Sequence, residues 1–359
     1  MDANWRPRVR GEVMAFEGEH LVRFVDLGSL VMKDFAVDEW VPSLIRLLTG
    51  ENSVRNIVAA IRSEASEGDI IQCIQVLAAE RLLSHPRAAE PSEGLHSRQI
   101  AYFDEMVSRQ PELATTSGEE IQARVRRSCV LVVGCGGMGT HVLDALARAG
   151  VGAIEIFDPD IVEPSNLHRQ ILYAHADVGR PKTDAAAQRL EEISPGTIVR
   201  ARRERFERAS TPRSDRIDLV VNCADEPDVL EMSDTVADWS MGRGIPHIVG
   251  GAYGANLGML PVSVVPGLSV CWSCIRAATG TLAPRAGMTA IKGRARTTGT
   301  LGPITGLISN FVALDALRIL AGLAPTLVNA VRELDLAGFG WRTLDVEPQR
   351  ACAACAGVG

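Results

Sequence analysis

Residues Cys129 to Ile193 constrain the fold more than any other stretch of this 359-residue chain. Cys129-Val130-Leu131-Val132-Val133 is a short apolar run, the pattern of a parallel strand buried on both faces. It breaks into Gly134-Cys135-Gly136-Gly137-Met138-Gly139, and a helical period comes next with Val142, Leu143, Leu146 and Ala149 on one face. A second apolar strand, Ala153 to Phe157, ends at Asp158. Strand, glycine-rich turn, helix, strand and acidic residue form the mononucleotide-binding half of a Rossmann-like sheet. Gly134, Gly136 and Gly139 let backbone approach phosphate at a helix N-terminus, and Asp158 is placed to accept from a ribose hydroxyl. A nicotinamide dehydrogenase would open in the same way.

Beyond Asp158 the chain departs from a dehydrogenase. It reads Asp158-Pro159-Asp160-Ile161-Val162-Glu163-Pro164-Ser165-Asn166-Leu167-His168-Arg169-Gln170, then Val178-Gly179-Arg180-Pro181-Lys182. Asn222-Cys223-Ala224-Asp225 and two CxxC pairs come later. In this order the motifs resemble the ThiF/MoeB family, bacterial relatives of ubiquitin-activating enzymes, whose pattern is DxDxVxxSNLxRQ…VGxxK. The resemblance covers roughly residues 95–357 and implies an enzyme that adenylates a carboxylate with MgATP.

The resemblance also implies roles. Gly134, Gly136, Gly139, Asp158, Asp160, Ser165, Asn166, Arg169, Gln170 and Lys182 would bind ATP. Arg169 and Lys182 would supply charge to the triphosphate, and Asp225 would ligate Mg²⁺, a hard cation that prefers oxygen. His96-Ser97-Arg98-Gln99-Ile100 resembles the family's RYxRQI opening, which implies a homodimer with Arg98 acting on the partner's ATP. Taken singly, Lys182 reads as a surface lysine and Asp225 as a cap for a helix opening at Pro227. Glu226 departs from the family, where relatives often have Asn.

Of the eight cysteines, four form Cys271-Trp272-Ser273-Cys274 and Cys352-Ala353-Ala354-Cys355, with 77 residues between the pairs. Four thiolates complete a tetrahedral Zn²⁺ site and leave no open position, so the zinc is expected to be structural. A redox CxxC is the alternative, disfavoured because neither pair reads as opening a helix. No cysteine lies in residues 275–300, a segment without apolar periodicity read as a loop. Relatives that form an acyl thioester often carry one there, so a thioester at that place is excluded.

The first 85 residues read as a separate unit. Alternation in His20 to Met32 suggests two strands about a turn at Gly28-Ser29. Three helical patterns come after it, with Asp38 and Ser53 as caps for the first two and the third beginning near Asp69. This pattern resembles the PqqD-like, winged-helix-related RiPP recognition element, which implies binding of a precursor peptide's leader. Leu30, Val31 and Met32 with Ile70, Ile74 and Leu77 are the expected walls of that site. Residues 1–90 hold 10 Lys/Arg against 14 Asp/Glu, the wrong sign for a duplex-binding winged helix. A domain that only props up a dimer is the plainer reading.

The expected organisation is therefore a leader-binding α+β domain at 1–85, a linker at 86–95, and an α/β adenylation domain at 96–359. The latter has a Rossmann-like, mostly parallel sheet flanked by helices. The net charge of −7 disfavours nucleic acid and anionic membranes as partners. No stretch reads as approaching the ~20 apolar residues of a membrane helix, and the N-terminus lacks a signal-peptide core. A cytoplasmic location is expected. The resemblance extends to microcin-C-type and pantocin-type members, which modify ribosomally made peptides (leader plus core). Adenylation of a precursor carboxylate and its capture by an internal nucleophile is the expected function. Activation of a ubiquitin-like sulfur carrier and a non-catalytic leader-delivery role are the alternatives.

Overall fold

The computed structural model describes residues 1–84, 94–110, 116–254, 257–280, 299–349 and 352–355. The chain packs as two compact units, Met1–Ala123 and Arg124–Gly359. Of the linker expected at 86–95, only residues 94 and 95 lie within the described residues.

The first unit begins with an antiparallel meander of β1 (Val13–Gly18), β2 (Leu21–Asp26) and β3 (Val31–Ala36), in that spatial order. The turn expected at Gly28-Ser29 joins β2 to β3. The sequence pattern did not signal β1, because Val13 is its one buried residue. Three helices come next, α1 (Val41–Leu47), α2 (Val54–Ile61) and α3 (Glu67–Ala79). Ser53 caps α2 as expected, its hydroxyl accepting from Asn56 N at 3.2 Å. Asp38 does not cap α1: the cap is Trp40, without a side-chain bond, and proline in the first turn sets the start instead. Phe24, Leu44, Ile57, Ile70 and Ile74 are wholly buried and form the centre of the core.

The first unit extends beyond the third helix. It includes α4 (Ser97–Arg109), and the division falls within α5 (Gly118–Arg127). A partly buried ion-pair network ties α4 to the meander. Arg10 donates to Asp26 at 2.9 Å and to Glu105 at 2.7 Å, and Arg109 donates to Asp26 at 2.8 Å and Glu12 at 2.6 Å.

The second unit carries the α/β fold. Its elements are β4 (Cys129–Val133), α6 (Gly137–Arg148), β5 (Ala153–Phe157), α7 (Lys182–Ile193), β6 (Ile198–Arg202), β7 (Leu219–Asn222), α8 (Val229–Met241) and β8 (His247–Val249). These are followed by β9 (Ala252–Tyr253), β10 (Leu257–Met259), β11 (Val262–Val264), α9 (Trp272–Ala278), α10 (Gly302–Ala321), β12 (Ala330–Asp335) and β13 (Trp341–Asp345). The main sheet has the order β11-β8-β7-β4-β5-β6, parallel except for β11. A smaller antiparallel sheet runs β13-β12-β10-β9. The apolar run from Met259 to Val265 is not one strand. It splits at Leu260-Pro261 between the two sheets, since proline cannot donate to a ladder.

One helix overturns a sequence expectation. α10 has 20 residues and is long and apolar enough to cross a membrane. Here it packs across α6 and buries Ile308, Val312, Ala313 and Ala316. Its wholly buried Asp315 accepts from Ser263 Oγ, Thr326 Oγ1 and Leu327 N, so a carboxylate in mid-helix is fully engaged by protein donors. These contacts make it a core helix.

Candidate active site

Parallel strands present their carboxyl ends to one edge of the sheet, where ligands bind in such folds. At that edge the turn after β4 begins at Gly134, whose φ of +94° favours glycine. A Cβ on Gly134 would lie 2.8 Å from Ala224 N, and one on Gly139 would lie 2.0 Å from the Gly134 carbonyl oxygen. Side chains at either place would push apart the glycine turn and the loop after β7. Gly136 is the N-cap of α6 and makes no side-chain cap, which leaves first-turn amides available to an anion. Tyr173 Oη donates to the Cys135 carbonyl at 2.9 Å and fixes the turn from behind.

Asp158 ends β5 and is buried. Its carboxylate accepts from Cys135 N at 2.6 Å and from Asp160 N at 2.9 Å, so it braces the glycine turn while facing the same cleft. Burial holds its pKa above the ordinary value of 3.8, against the opposing pull of these amides and Lys182. Lys182 is no surface lysine. It is 7% exposed at the start of α7, and its ammonium donates to Asp160 at 2.8 Å. A cation held this deep beside an uncapped helix start and an aspartate suits a nucleotide's phosphates and ribose.

Asp225 lies on the loop after β7, pinned by Asn222, whose side-chain oxygen accepts from Ala224 N at 3.2 Å. The helix expected to open at Pro227 begins at Val229. Its cap is Asp228, which accepts from Leu230 N and Glu231 N at 2.9 Å each. Asp225 is thus relieved of capping, exposed, and turned into the cleft.

The cleft gathers Gly134, Gly136, Asp158, Asp160, Lys182 and Asp225. Ser165, Asn166, Arg169 and Gln170 are not among its lining residues and lie in a short turn built by their own bonds. Asn166 Oδ1 accepts from Glu163 N at 3.0 Å, and Arg169 donates to the Ser165 carbonyl at 2.7 Å. Gln170 is buried with Oε1 unpartnered among the described residues. Arg98 is exposed in the first turn of α4, in the first unit. Sequence reasoning missed Arg205 and Phe206, which line the cleft after β6. Arg205 donates to the Glu226 carbonyl at 2.8 Å. Cys223 also lines the cleft, but burial pushes its thiol up to about 12, so it is no nucleophile at neutral pH.

The four cysteines Cys271, Cys274, Cys352 and Cys355 converge, their sulfurs all within 4.8 Å of one another. Cys271 and Cys352 are 3.5 Å apart and Cys274 and Cys355 3.7 Å, close to the ~3.8 Å edge of a tetrahedron with Zn–S bonds of about 2.3 Å. The first pair does open a helix, contrary to the sequence reading, since Cys271 is the N-cap of α9. The meeting of all four sulfurs still favours a metal over a redox pair. α9 occupies the start of the segment read as a loop at 275–300, and residues 281–298 lie outside the described residues.

The first unit has a cavity of its own, of about 490 Å³, between the edge strand β3 and α3. Ile70 and Ile74 do not reach it, because both are wholly buried in the unit's core. α3 lines it instead with Asp69, Gln72, Cys73, Val76 and Leu77, opposite Phe35 and Trp40. Leu30, Val31 and Met32 are exposed near the beginning of β3, outside the cavity's lining.

The sequence profile of the ThiF family matches residues 107–354. The chain belongs to the ThiF family. Among curated members, it is 30% identical to the sulfur carrier protein ThiS adenylyltransferase of Escherichia coli over 66% of this chain and 89% of that one. It is 31% identical to the sulfur carrier protein adenylyltransferase of Thermus thermophilus over 66% and 86%. Solved structures match over a greater length. E. coli MccB crystallised with ATP superposes with a TM-score of 0.74 at 18% identity, covering 97% of this chain and 99% of that one. PaaA superposes with 0.71 at 18% identity, over 94% and 99%. MccB has also been crystallised with MccA. These likenesses of fold take in the N-terminal unit as well as the α/β unit.

Proposed function

We propose that this ThiF-family protein is an adenylyltransferase that activates a carboxylate on a ribosomally made precursor peptide, held by its leader. The carboxylate attacks the α-phosphate of ATP, giving an acyl-adenylate and pyrophosphate. An internal amide or amine then attacks the acyl carbon, losing a proton and releasing AMP, or the nucleotide stays attached. Two anions must meet, so positioning and charge neutralisation dominate the barrier. Lys182 and the α6 amides take the phosphates and Asp158 the ribose hydroxyls; Asp225 would hold a Mg²⁺, which would supply charge neutralisation at the triphosphate. Arg169 adds positive charge toward the triphosphate. Arg98 completes the partner's site in a homodimer. Cys271, Cys274, Cys352 and Cys355 would hold a Zn²⁺ with no open coordination position, which would join the C-terminal segment to α9 in a structural role.

One observation carries the choice of a peptide over a sulfur carrier: the N-terminal unit's cavity beside the edge strand β3. An edge strand offers unpaired backbone groups on one side, and an extended leader can add there while its side chains fill the cavity. The tether raises the core peptide's effective concentration at the cleft. The curated relatives named for sulfur carriers align with only two-thirds of this chain. The test is full-length enzyme with MgATP and the short peptide encoded beside its gene, read by intact mass. Loss of one water or gain of one AMP supports the reading. An unchanged peptide, with turnover instead on a Gly-Gly-ending carrier, would replace it with sulfur-carrier activation.

A further inference from the structure

The second unit holds a separate cavity of about 120 Å³ beside the cleft. Leu230, Met259, Val262, Trp272, Ile275 and Val331 form its apolar wall. Its deeper lining is buried, whereas Arg276 and Gly280 are exposed and mark the mouth. Voids this large are few in a close-packed interior. An apolar cavity of comparable size stays dry and accepts a benzene ring.

The wall is braced from behind. Gly250 and Gly251 come after β8 with φ of +78° and +85°, and a Cβ on Gly250 would come 2.9 Å from Trp272. Trp272 Nε1 donates to Asp234 at 2.8 Å, and the same carboxylate pairs with Arg276. The indole is thus fixed by a glycine on one side and an aspartate on the other, so it cannot swing in to fill the space.

Position gives the cavity its meaning. β7 and β8 are neighbouring parallel strands, with ends about 4.8 Å apart. The loop after β7 carries Asp225, and the loop after β8 carries Gly251. The start of α8 separates the two spaces, with Met232 lining the cleft and Leu230 the cavity. One helix is about 10 Å across with its side chains, a span of roughly three extended residues.

We propose that this cavity is a specificity pocket for an apolar side chain of the substrate, branched aliphatic or singly aromatic, within about three residues of the carboxylate that is activated. The proposal rests on the adenylation reading above. Asp234 already neutralises Arg276, so the guanidinium can donate to a peptide carbonyl without demanding an anion. A charged side chain is disfavoured, since Arg276 is the one charged side chain among the described lining residues and Asp234 already pairs with it.

Two measurements on the full-length enzyme test this. Calorimetry with benzene should show binding to wild type and none to Leu230→Phe or Val262→Phe, both at unchanged ATP affinity. The half-buried Leu230 gives a variant that folds if Val262→Phe does not. Absence of benzene binding to wild type would overturn the proposal. ATP–pyrophosphate exchange is then measured with acetylated Gly-Ser tetrapeptides carrying Leu, Phe or Asp at each position in turn. Leu or Phe at one position should raise kcat/KM about ten- to a hundredfold over Gly, the worth of burying one such side chain. Asp there should show no gain, and Leu230→Phe should abolish the preference. Exchange that ignores side-chain identity would overturn the pocket and leave adenylation standing. Benzene binding with no exchange on any peptide, the full-length precursor included, would remove the adenylation reading and the pocket's role with it.

Discussion

Asp225 and Asp228 stand three residues apart, and the structure assigns them opposite kinds of work. Asp225 is exposed, makes no hydrogen bond or ion pair among the described residues, and points into the cleft. Asp225→Ala should therefore change stability by no more than about 0.5 kcal/mol. If it holds Mg²⁺ on the triphosphate, several kcal/mol of charge stabilisation go with it. Pyrophosphate exchange should fall about 10²–10⁴-fold, at tenfold per ~1.4 kcal/mol. Asp228 accepts two backbone amides at the start of α8, and its removal should cost about 1 kcal/mol of stability. That lowers Tm by about 2–4 °C for a unit of this size, while exchange at room temperature stays within a few-fold. Paired thermal melts and exchange assays at saturating Mg²⁺ make the comparison. Near-normal exchange by Asp225→Ala, or a melt lowered as far as that of Asp228→Ala, would refute the assignment.

Four further outcomes are expected. Cys274→Ser should lose the one zinc per chain and lower Tm steeply, since a structural zinc site is worth on the order of 10 kcal/mol; metal analysis finding no zinc in wild type would count against it. Arg98→Ala should lose about 10³–10⁵ in rate, and mixing it with Asp225→Ala should restore activity because each heterodimer assembles one complete site. Verified subunit exchange without recovery would argue against a site shared between subunits. Val76→Asp, on the wall of the N-terminal cavity, should weaken precursor binding by fluorescence polarisation while leaving ATP affinity unchanged; equal precursor affinity would remove the leader from that cavity. Asp158 binds its proton more tightly folded than unfolded, so its contribution to the ligand-free protein's stability falls as pH rises from 3.8 to its raised native value. ATP binds the ionised form, so the thermal shift it confers should grow with pH across that window; a pH-independent shift would exclude Asp158 from the ribose site.

Legibility followed burial. β4, β5 and β7 are buried along nearly their whole length and announce themselves as apolar runs. β1 and β6 lie at sheet edges with mixed composition, and neither stands out in the sequence. The loss of β6 hid Arg205, which lies beyond it in the cleft. Asp225 was found through its place in a motif, but the geometry of Asp228 was needed to free it from a capping role. Ile70 and Ile74 were assigned to a peptide surface because apolar residues along α3 serve both core and cavity, and periodicity alone does not separate the two faces. α10 poses a different problem. An apolar helix that buries itself against other helices has the composition of one that buries itself in lipid, and only contacts such as those of Asp315 tell them apart.

The ion pairs around Arg10 decide where this chain can be cut. Composition invites a cut near residue 90, in the segment rich in proline, glycine and serine. Arg10 has a side chain only 3% exposed, yet two of its three acceptors lie on β2 and α4, on opposite sides of that place. A cut there would leave Glu105 and Arg109 on one fragment without Asp26, and a buried guanidinium on the other short of a carboxylate. Breaking a buried pair in this way costs about 3–5 kcal/mol. A fragment that runs past the end of α5 keeps every partner of the network, and it is the one to express when the N-terminal unit is studied alone.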